Sequence, residues 1–265
     1  MKKLFAFTLL GAIIFFGCEV DRSPTETPQS MGYPPYALEM QQISRQAGEC
    51  DTDTARTCTT VEMLYQTVSD TVRIDAADRI NTSIKEAIAG VIGYDSSKAI
   101  PSAEVLADQF IEDYNVLAED FPDAFGWEMN LSGEVLRNDS AFVVVRIQVE
   151  SYTGGAHGSH NLQFLNFNPL SGEKYTLDDL FRAGYEEELN KLALNAFRDV
   201  RNLAADADPA MEGFNFYNDR YFNPDNFAVL DYSILFYFNH YEVAPYSAGP
   251  TTIEIPLDLL GDLMI

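Results

Sequence analysis

Two of the three histidines of this chain lie close together in a glycine-rich segment, Ser151-Tyr-Thr-Gly-Gly-Ala-His157-Gly-Ser-His160. Imidazole binds divalent metals and transfers protons near neutral pH, so His157 and His160, with His240 brought in by the fold, would suit a metal site. On extended chain, however, residues three apart point to opposite faces of a strand, and glycines disfavour the helix that would align them. We therefore predict a glycine-shaped turn with a hydrogen-bonding histidine and no metal site, with the metal site as the alternative.

Carboxylates are the second group able to do chemistry. Pairs such as Asp178 and Asp179, or Glu186 to Glu188, could serve as general acid and base. Both groups begin predicted helices, where the helix dipole and solvent stabilise carboxylates, and this explanation is the simpler one. The chain has no nucleophile elbow, phosphate loop, zincin pair or paired-cysteine motif. We predict no catalytic residue, no cofactor and a protein that is not an enzyme.

The aromatic stretch Tyr232–Tyr241 alternates as a strand does, and most of it is predicted to be core. Tyrosines that face outward would suit sugar or protein surfaces.

The overall charge also limits the class of ligand. With 41 acidic against 17 basic side chains in 265 residues, a net charge of -24 argues against nucleic acid, and it fits a basic partner or a salty habitat equally well.

The N-terminal segment indicates export. Lys2 and Lys3 precede an apolar run, Leu4 to Phe16, that is too short to span a bilayer, and Gly17-Cys18 follows. This predicts a signal peptide over 1–17 that resembles a bacterial lipoprotein signal, with Cys18 as the lipidated residue; a plain buried or membrane-embedded cysteine is the alternative. The composition of residues 18–35 is typical of a tether, and Glu19 favours the outer membrane.

Cys50 and Cys58 remain once Cys18 is assigned to lipid. An even pair in an exported protein suggests a disulfide, closing a short polar loop between two strands. Two unpaired thiols are the alternative, and a metal pair is the least favoured because neither cysteine has a nearby histidine.

The elements that must position these residues arrive in blocks of strands and helices. This order predicts an α+β fold with mostly antiparallel sheets, helices packed on one side, and two subdomains, 36–137 and 138–265. Alternating apolar residues predict strands at 36–46, 57–68, 127–137, 140–152, 160–168, 228–238 and 251–255. Helical spacing predicts helices at 74–91, from Ser102 to Leu117, at 177–180 and at 185–204.

Three segments in order carry a family resemblance: Tyr152–Gly158, Phe167–Phe181, and Tyr241–Pro250 with Ile255-Pro256 after it. Together they resemble domain of unknown function 3298, found in RsiV-type anti-sigma factors and PdaC-type peptidoglycan deacetylases. Residues of about 60 to 135 are similar to its usual companion, domain of unknown function 4163. The resemblance implies an α+β fold whose C-terminal half is similar to a subdomain of the heat-shock-cognate ATPase.

The resemblance also implies a function, because RsiV-type proteins bind lysozyme. We expect a lipid-anchored, monomeric envelope module that recognises a cell-wall hydrolase or peptidoglycan. The candidate partner-binding residues are Gly154, Gly155, His157, Tyr241, Pro245, Tyr246 and Gly249. Two alternatives are a wall-modifying hydrolase that uses His157 or His160 with a carboxylate, and a structural envelope lipoprotein.

Overall fold

The structure, a computed structural model, describes residues 33–50, 57–94, 99–216 and 223–265. The predicted signal peptide, Cys18 and the tether up to residue 32 lie outside the described residues. Within the described ranges, no helix is both long and apolar enough to cross a membrane.

A five-stranded mixed sheet forms the larger part of the fold. Its strands, in spatial order, are β1 (Ala37–Ala47), β2 (Thr59–Ser69), β3 (Glu128–Asn138), β4 (Val143–Tyr152) and β5 (Ser159–Phe167). The β2 and β3 strands pair in parallel, and the other neighbours in this sheet are antiparallel. A parallel pair needs a crossover connection, which here consists of α1 (Ile74–Ile92) and α2 (Ala103–Asp120).

Both crossover helices pack on one face of this sheet. The helical repeat of α1 buries Ile80, Ile84 and Ile88 against the strands, as the sequence spacing predicts. The predicted start of α2 is also observed, because the Ser102 hydroxyl accepts a hydrogen bond from the backbone N–H of Val105.

A second, three-stranded antiparallel sheet contains β6 (Phe227–Val229), β7 (Ser233–Phe238) and β8 (Thr251–Pro256). We predicted one strand over 228–238, and this is wrong. The chain turns back between β6 and β7, where Leu230 N donates to Ser233 O at 2.8 Å and where Asp231 and Tyr232 are exposed. The turn has no glycine or proline, so the sequence pattern did not reveal it.

The second sheet buries one face, and its other face is partly covered at β6 and β7 but exposed at β8. One face of β7, with Ile234, Phe236 and Phe238, forms a core with α4 (Glu186–Val200). The other face carries Leu235 and Tyr237, which pack with side chains on the outer face of β4 and β5. The outer face of β1, β2 and β3 carries exposed side chains. The short helices α3 (Leu177–Leu180) and α5 (Leu257–Leu260) complete the C-terminal part.

Three asparagine side chains join the two sheets. Asn166 on β5 accepts a hydrogen bond from the backbone of β6 and donates one to it, at 2.8 and 2.7 Å. Two asparagines of the second sheet bond back to the first. Asn226, directly before β6, and Asn239, directly after β7, form hydrogen bonds of 2.7 to 3.1 Å with the β5 backbone at Leu162 and Phe164. Each amide thus offers a donor and an acceptor, as a peptide group does.

The predicted α+β class is confirmed by these elements. The boundary predicted between residues 137 and 138 falls inside β3, one residue before its end, and β3 is paired with β4. Residues 33–265 form one compact unit.

Candidate functional site

An open cavity of about 280 Å³ lies between the start of β5, the loop before it and the segment after β7. We call it the His–Tyr cavity, because all three histidines of the chain line it together with two tyrosines. The side chains in its lining are polar or aromatic: Ser151, Thr153, His157, Ser159, His160, Asn161, Asn239, His240, Tyr241 and Tyr246.

His157 is held by hydrogen bonds at both ring nitrogens. Its Nδ1 lies 2.9 Å from the carbonyl oxygen of Gly158, and its Nε2 lies 2.9 Å from the hydroxyl of Tyr241. A carbonyl only accepts, so Nδ1 carries the proton, and in the neutral ring Nε2 accepts from the Tyr241 hydroxyl. The ring also stacks on Tyr246, with centroids 3.8 Å apart and planes 12° apart.

His240 also contacts Tyr246, with ring centroids 4.6 Å apart, and its ring lies 5.4 Å from that of His160. Burial and then the neighbouring His160 and His157 lower the pKa of His240 below its usual 6.5. Its Nδ1 is buried and has no hydrogen-bond partner among the described residues. His240 is therefore mainly neutral at pH 7.

His160 faces a carboxylate. It lies directly opposite Glu150 across β4 and β5, and its Nδ1 is 3.6 Å from Glu150 Oε1. Such a carboxylate can orient an imidazole ring. Within the described part of the chain, no group of three histidine, cysteine or acidic residues is arranged to hold a metal ion.

The prediction that His157 and His160 point away from each other is wrong, since both line the His–Tyr cavity. The two-residue period of side chains holds only within a strand, and β5 begins at Ser159, after His157. Gly158, between them, lets the chain pass close to the end of β4. A Cβ at this position would lie 2.8 Å from the carbonyl oxygen of Ser151.

The other candidate residues lie in the two loops that bear the cavity side chains. Gly154 and Gly155 have φ values of 97° and 93°, which glycine adopts readily, and form the turn between β4 and β5. Pro245 and Gly249 flank a 3-10 turn over Tyr246–Ala248. None of these four glycine and proline residues is part of the described cavity lining. Their structural role is to shape the loops that hold His157, Tyr241 and Tyr246.

Arg201, directly after α4, is a residue that the sequence did not reveal. Its guanidinium donates to the carbonyl oxygens of Ala248, Gly249 and Pro250 at 2.8, 3.1 and 3.0 Å, and to the hydroxyl of Thr251. These bonds tie the segment after Tyr246 to the end of α4. The contact links positions about 50 residues apart, and no local pattern signals it.

Several of the remaining sequence candidates have structural partners. Cys50 and Cys58 form a disulfide between the end of β1 and the start of β2. The Asp179 carboxylate accepts from the backbone N–H and the hydroxyl of Thr176, which lowers its pKa and caps α3. Asp178 accepts from the hydroxyl of Tyr185.

Comparison with known families gives two matches in different parts of the chain. A model described as deacetylase PdaC matches residues 54–160, and one described as a protein of unknown function, DUF3298, matches residues 178–258. The turn with His157 thus lies in the first matched region, and the loop with Tyr246 lies in the second.

Among curated proteins, the chain is similar to the peptidoglycan-N-acetylmuramic acid deacetylase PdaC of Bacillus subtilis, with 26% identity over 139 residues. The similarity covers 52% of this chain and 29% of that protein, so the chain matches less than a third of its relative's length. We predicted a protein that is not an enzyme. The matches to a deacetylase family and to a deacetylase contradict that prediction.

Solved structures show the same fold. A DUF3298 family member from Bacteroides fragilis has a TM-score of 0.66 and 23% identity, covering 87% of this chain and 95% of its own. A DUF3298 family protein from Pseudomonas aeruginosa has a TM-score of 0.62 and 19% identity, covering 88% and 95%. The chain thus matches DUF3298 over residues 178–258 and a PdaC-like domain over residues 54–160, which confirms the predicted resemblance.

Proposed function

We propose that this protein acts at the bacterial cell wall and that its His–Tyr cavity binds a glycan of that wall. The relative in Bacillus subtilis is a deacetylase of peptidoglycan, which supports the location and the class of ligand. The observation that carries the proposal is the ring of Tyr246, which stacks with His157 and His240 to make an aromatic wall in an open cavity.

The chemistry of the cavity suits a sugar. Aromatic faces pack against the apolar faces of a sugar ring, and amide and hydroxyl groups can donate to or accept from its hydroxyls. Asn161, Asn239 and Thr153 are part of the cavity lining beside the aromatic wall. Ligand sites commonly combine an apolar surface with a few polar groups that fix orientation.

Binding of soluble peptidoglycan fragments to the full-length protein, measured by calorimetry, tests the proposal. Tyr246→Ala should weaken binding about two- to tenfold, the effect of one aromatic contact of about 0.5–1.5 kcal/mol, with the melting temperature almost unchanged. Tyr232→Ala is the control, since Tyr232 is 86% exposed and outside the cavity. No binding by the wild type, or equal loss of affinity in both variants, would contradict the proposal.

Modification of the glycan is a second candidate, favoured by the pair of Glu150 and His160 beside the neutral His240. A carboxylate-oriented histidine can act as a general base toward water. The test is release of acetate or of reducing ends from isolated cell walls. The wild type should release product and His160→Gln should not, and an inactive wild type would argue against this candidate.

A basic wall hydrolase is the protein partner that we propose. The net charge of -24 would attract a cationic enzyme, and the attraction should weaken as salt rises. Retention of lysozyme on immobilised protein at moderate salt tests this. A complex that forms equally well with an acidic protein of similar size would contradict it.

We also propose export and lipid anchoring through Cys18 at the outer membrane. Labelling of cells with a fatty-acid analogue should mark the wild type but not Cys18→Ala. Separation of the two membranes should then place the labelled protein in the outer one, and label in Cys18→Ala would refute the assignment.

A further inference from the structure

The His–Tyr cavity continues into two more cavities along the outer face of the five-stranded sheet. The second, of about 190 Å³, shares Ser151 and His160 with the first. The third, of about 410 Å³, shares Asn130 and Glu150 with the second. Because consecutive cavities have common walls, they form one open groove, which we call the sheet groove.

One row of residues in register crosses all five strands, and four of its members, Glu62, Asn130, Glu150 and His160, line the sheet groove. Ser44 lies opposite Glu62, Glu62 opposite Asn130, Asn130 opposite Glu150, and Glu150 opposite His160. Residues opposite each other in a sheet project from the same face, so these five side chains form a continuous line. Four strand spacings of about 4.8 Å make the line about 19 Å long, ending in the His–Tyr cavity.

The groove is polar, and its described lining contains no lysine or arginine. Glu62 and Glu150 offer only acceptors, whereas the amides of Asn130 and Gln148 offer both donors and acceptors. Leu64, which is 48% exposed, provides an apolar surface between them. No lysine or arginine lines any of the three cavities, so this described surface does not favour a polyanion.

We propose that the sheet groove binds an extended, neutral polysaccharide strand, with one end of the strand in the His–Tyr cavity. The inference rests on the proposed function and extends it from a single sugar to a chain of several sugars. The carboxylates of Glu62 and Glu150 and the amides of Asn130 and Gln148 match a ligand that carries hydroxyl and N-acetyl groups at repeated intervals. The edge strand β1 contributes to the far end of the groove through Gln42.

Calorimetry with N-acetylglucosamine oligomers of two and six units, on the full-length protein, tests the inference. The hexamer should bind at least tenfold more tightly than the dimer, because only the hexamer reaches from the His–Tyr cavity to β2. Asn130→Ala should weaken binding of the hexamer about three- to tenfold, the loss expected for one or two hydrogen bonds, and leave the dimer unchanged.

Gln109→Ala on α2 is the matched control. Like Asn130, Gln109 is an exposed amide with a 2.7 Å hydrogen bond to a neighbouring carboxylate, but it lies outside the groove. Gln148→Ala provides a second variant inside the groove. If dimer and hexamer bind with equal affinity and Tyr246→Ala weakens both, the proposed role of the sheet groove is refuted while the proposed function stands. If neither oligomer binds, both fail.

Discussion

Replacement of Arg201 by alanine should loosen the loop that carries Tyr246. In the wild type the guanidinium donates to three successive carbonyl oxygens, of Ala248, Gly249 and Pro250, and to the Thr251 hydroxyl. A buried hydrogen bond from a charged donor contributes about 1.5–3 kcal/mol, but this loop is partly exposed and water can replace some of the lost bonds. By the same measure, we expect a total loss of about 2–3 kcal/mol in the free energy of unfolding.

For a domain of this size, 1 kcal/mol corresponds to about 2–4 °C in melting temperature, so Arg201→Ala should melt roughly 4–12 °C lower. Thermal unfolding followed by circular dichroism measures this. Affinity for peptidoglycan fragments should also fall, because the loop is what holds Tyr246 against His157. Arg201→Lys should recover only part of both losses, since an ammonium group cannot reach several carbonyls as a guanidinium fork does.

Arg198→Ala is the control for this experiment. Arg198 is in the last turn of α4, and its Nε donates to one backbone carbonyl, that of Ala207, at 2.8 Å. Its replacement should lower stability by about 1 kcal/mol and leave ligand affinity unchanged. If Arg201→Ala behaves as Arg198→Ala does in both measurements, the loop keeps its shape without Arg201, and the reasoning is refuted.

Two further predictions concern pH. The pKa of His240 is lowered by burial, so the stability contributed by its neutral form is complete above pH 6.5 and is lost as the pH falls from there through the lower folded value. His240→Asn should therefore reduce the fall in melting temperature below about pH 6.5, and an unchanged slope would contradict this. The backbone N–H groups of Arg73 and Val72 and the Arg73 guanidinium lower the pKa of Asp70 to about 2, so its contribution is complete above pH 3.8 and is lost as the pH falls toward 2. Asp70→Asn should therefore show less acid destabilisation in that range than wild type, with Asp75→Asn as the control, and equal acid sensitivity in both variants would count against it.

Local periodicity explains why most of the fold was predictable. The isoleucines of α1 repeat every four residues, and the apolar side chains of β4 are dense enough to identify a central strand. The turn between β6 and β7 was missed because Leu230 and Tyr232 continue an apolar pattern through it. A turn that contains neither glycine nor proline lacks the strongest sequence signal for a turn.

The site was predictable only in part. The two loop motifs pointed to His157, Tyr241 and Tyr246, which the structure brings together. The pairing of His160 with Glu150 depends on the register of β4 and β5, and that register is set by the turn that joins them. Arg201 acts across about 50 residues, so no local pattern could show its role.

The asparagines between the two sheets also determine how precisely the cavity side chains are positioned. Apolar surfaces that pack together can slide by a fraction of an ångström at little cost, whereas a side chain that donates and accepts at once fixes position in both directions. Asn239 bonds to the backbone of Leu162 in this way, and His240, which follows it directly, faces His160 in the cavity. The hydrogen bonds between the Asn239 amide and the β5 backbone thus fix the distance between the two imidazoles. Asn239→Asp should weaken the proposed glycan binding before it unfolds the protein.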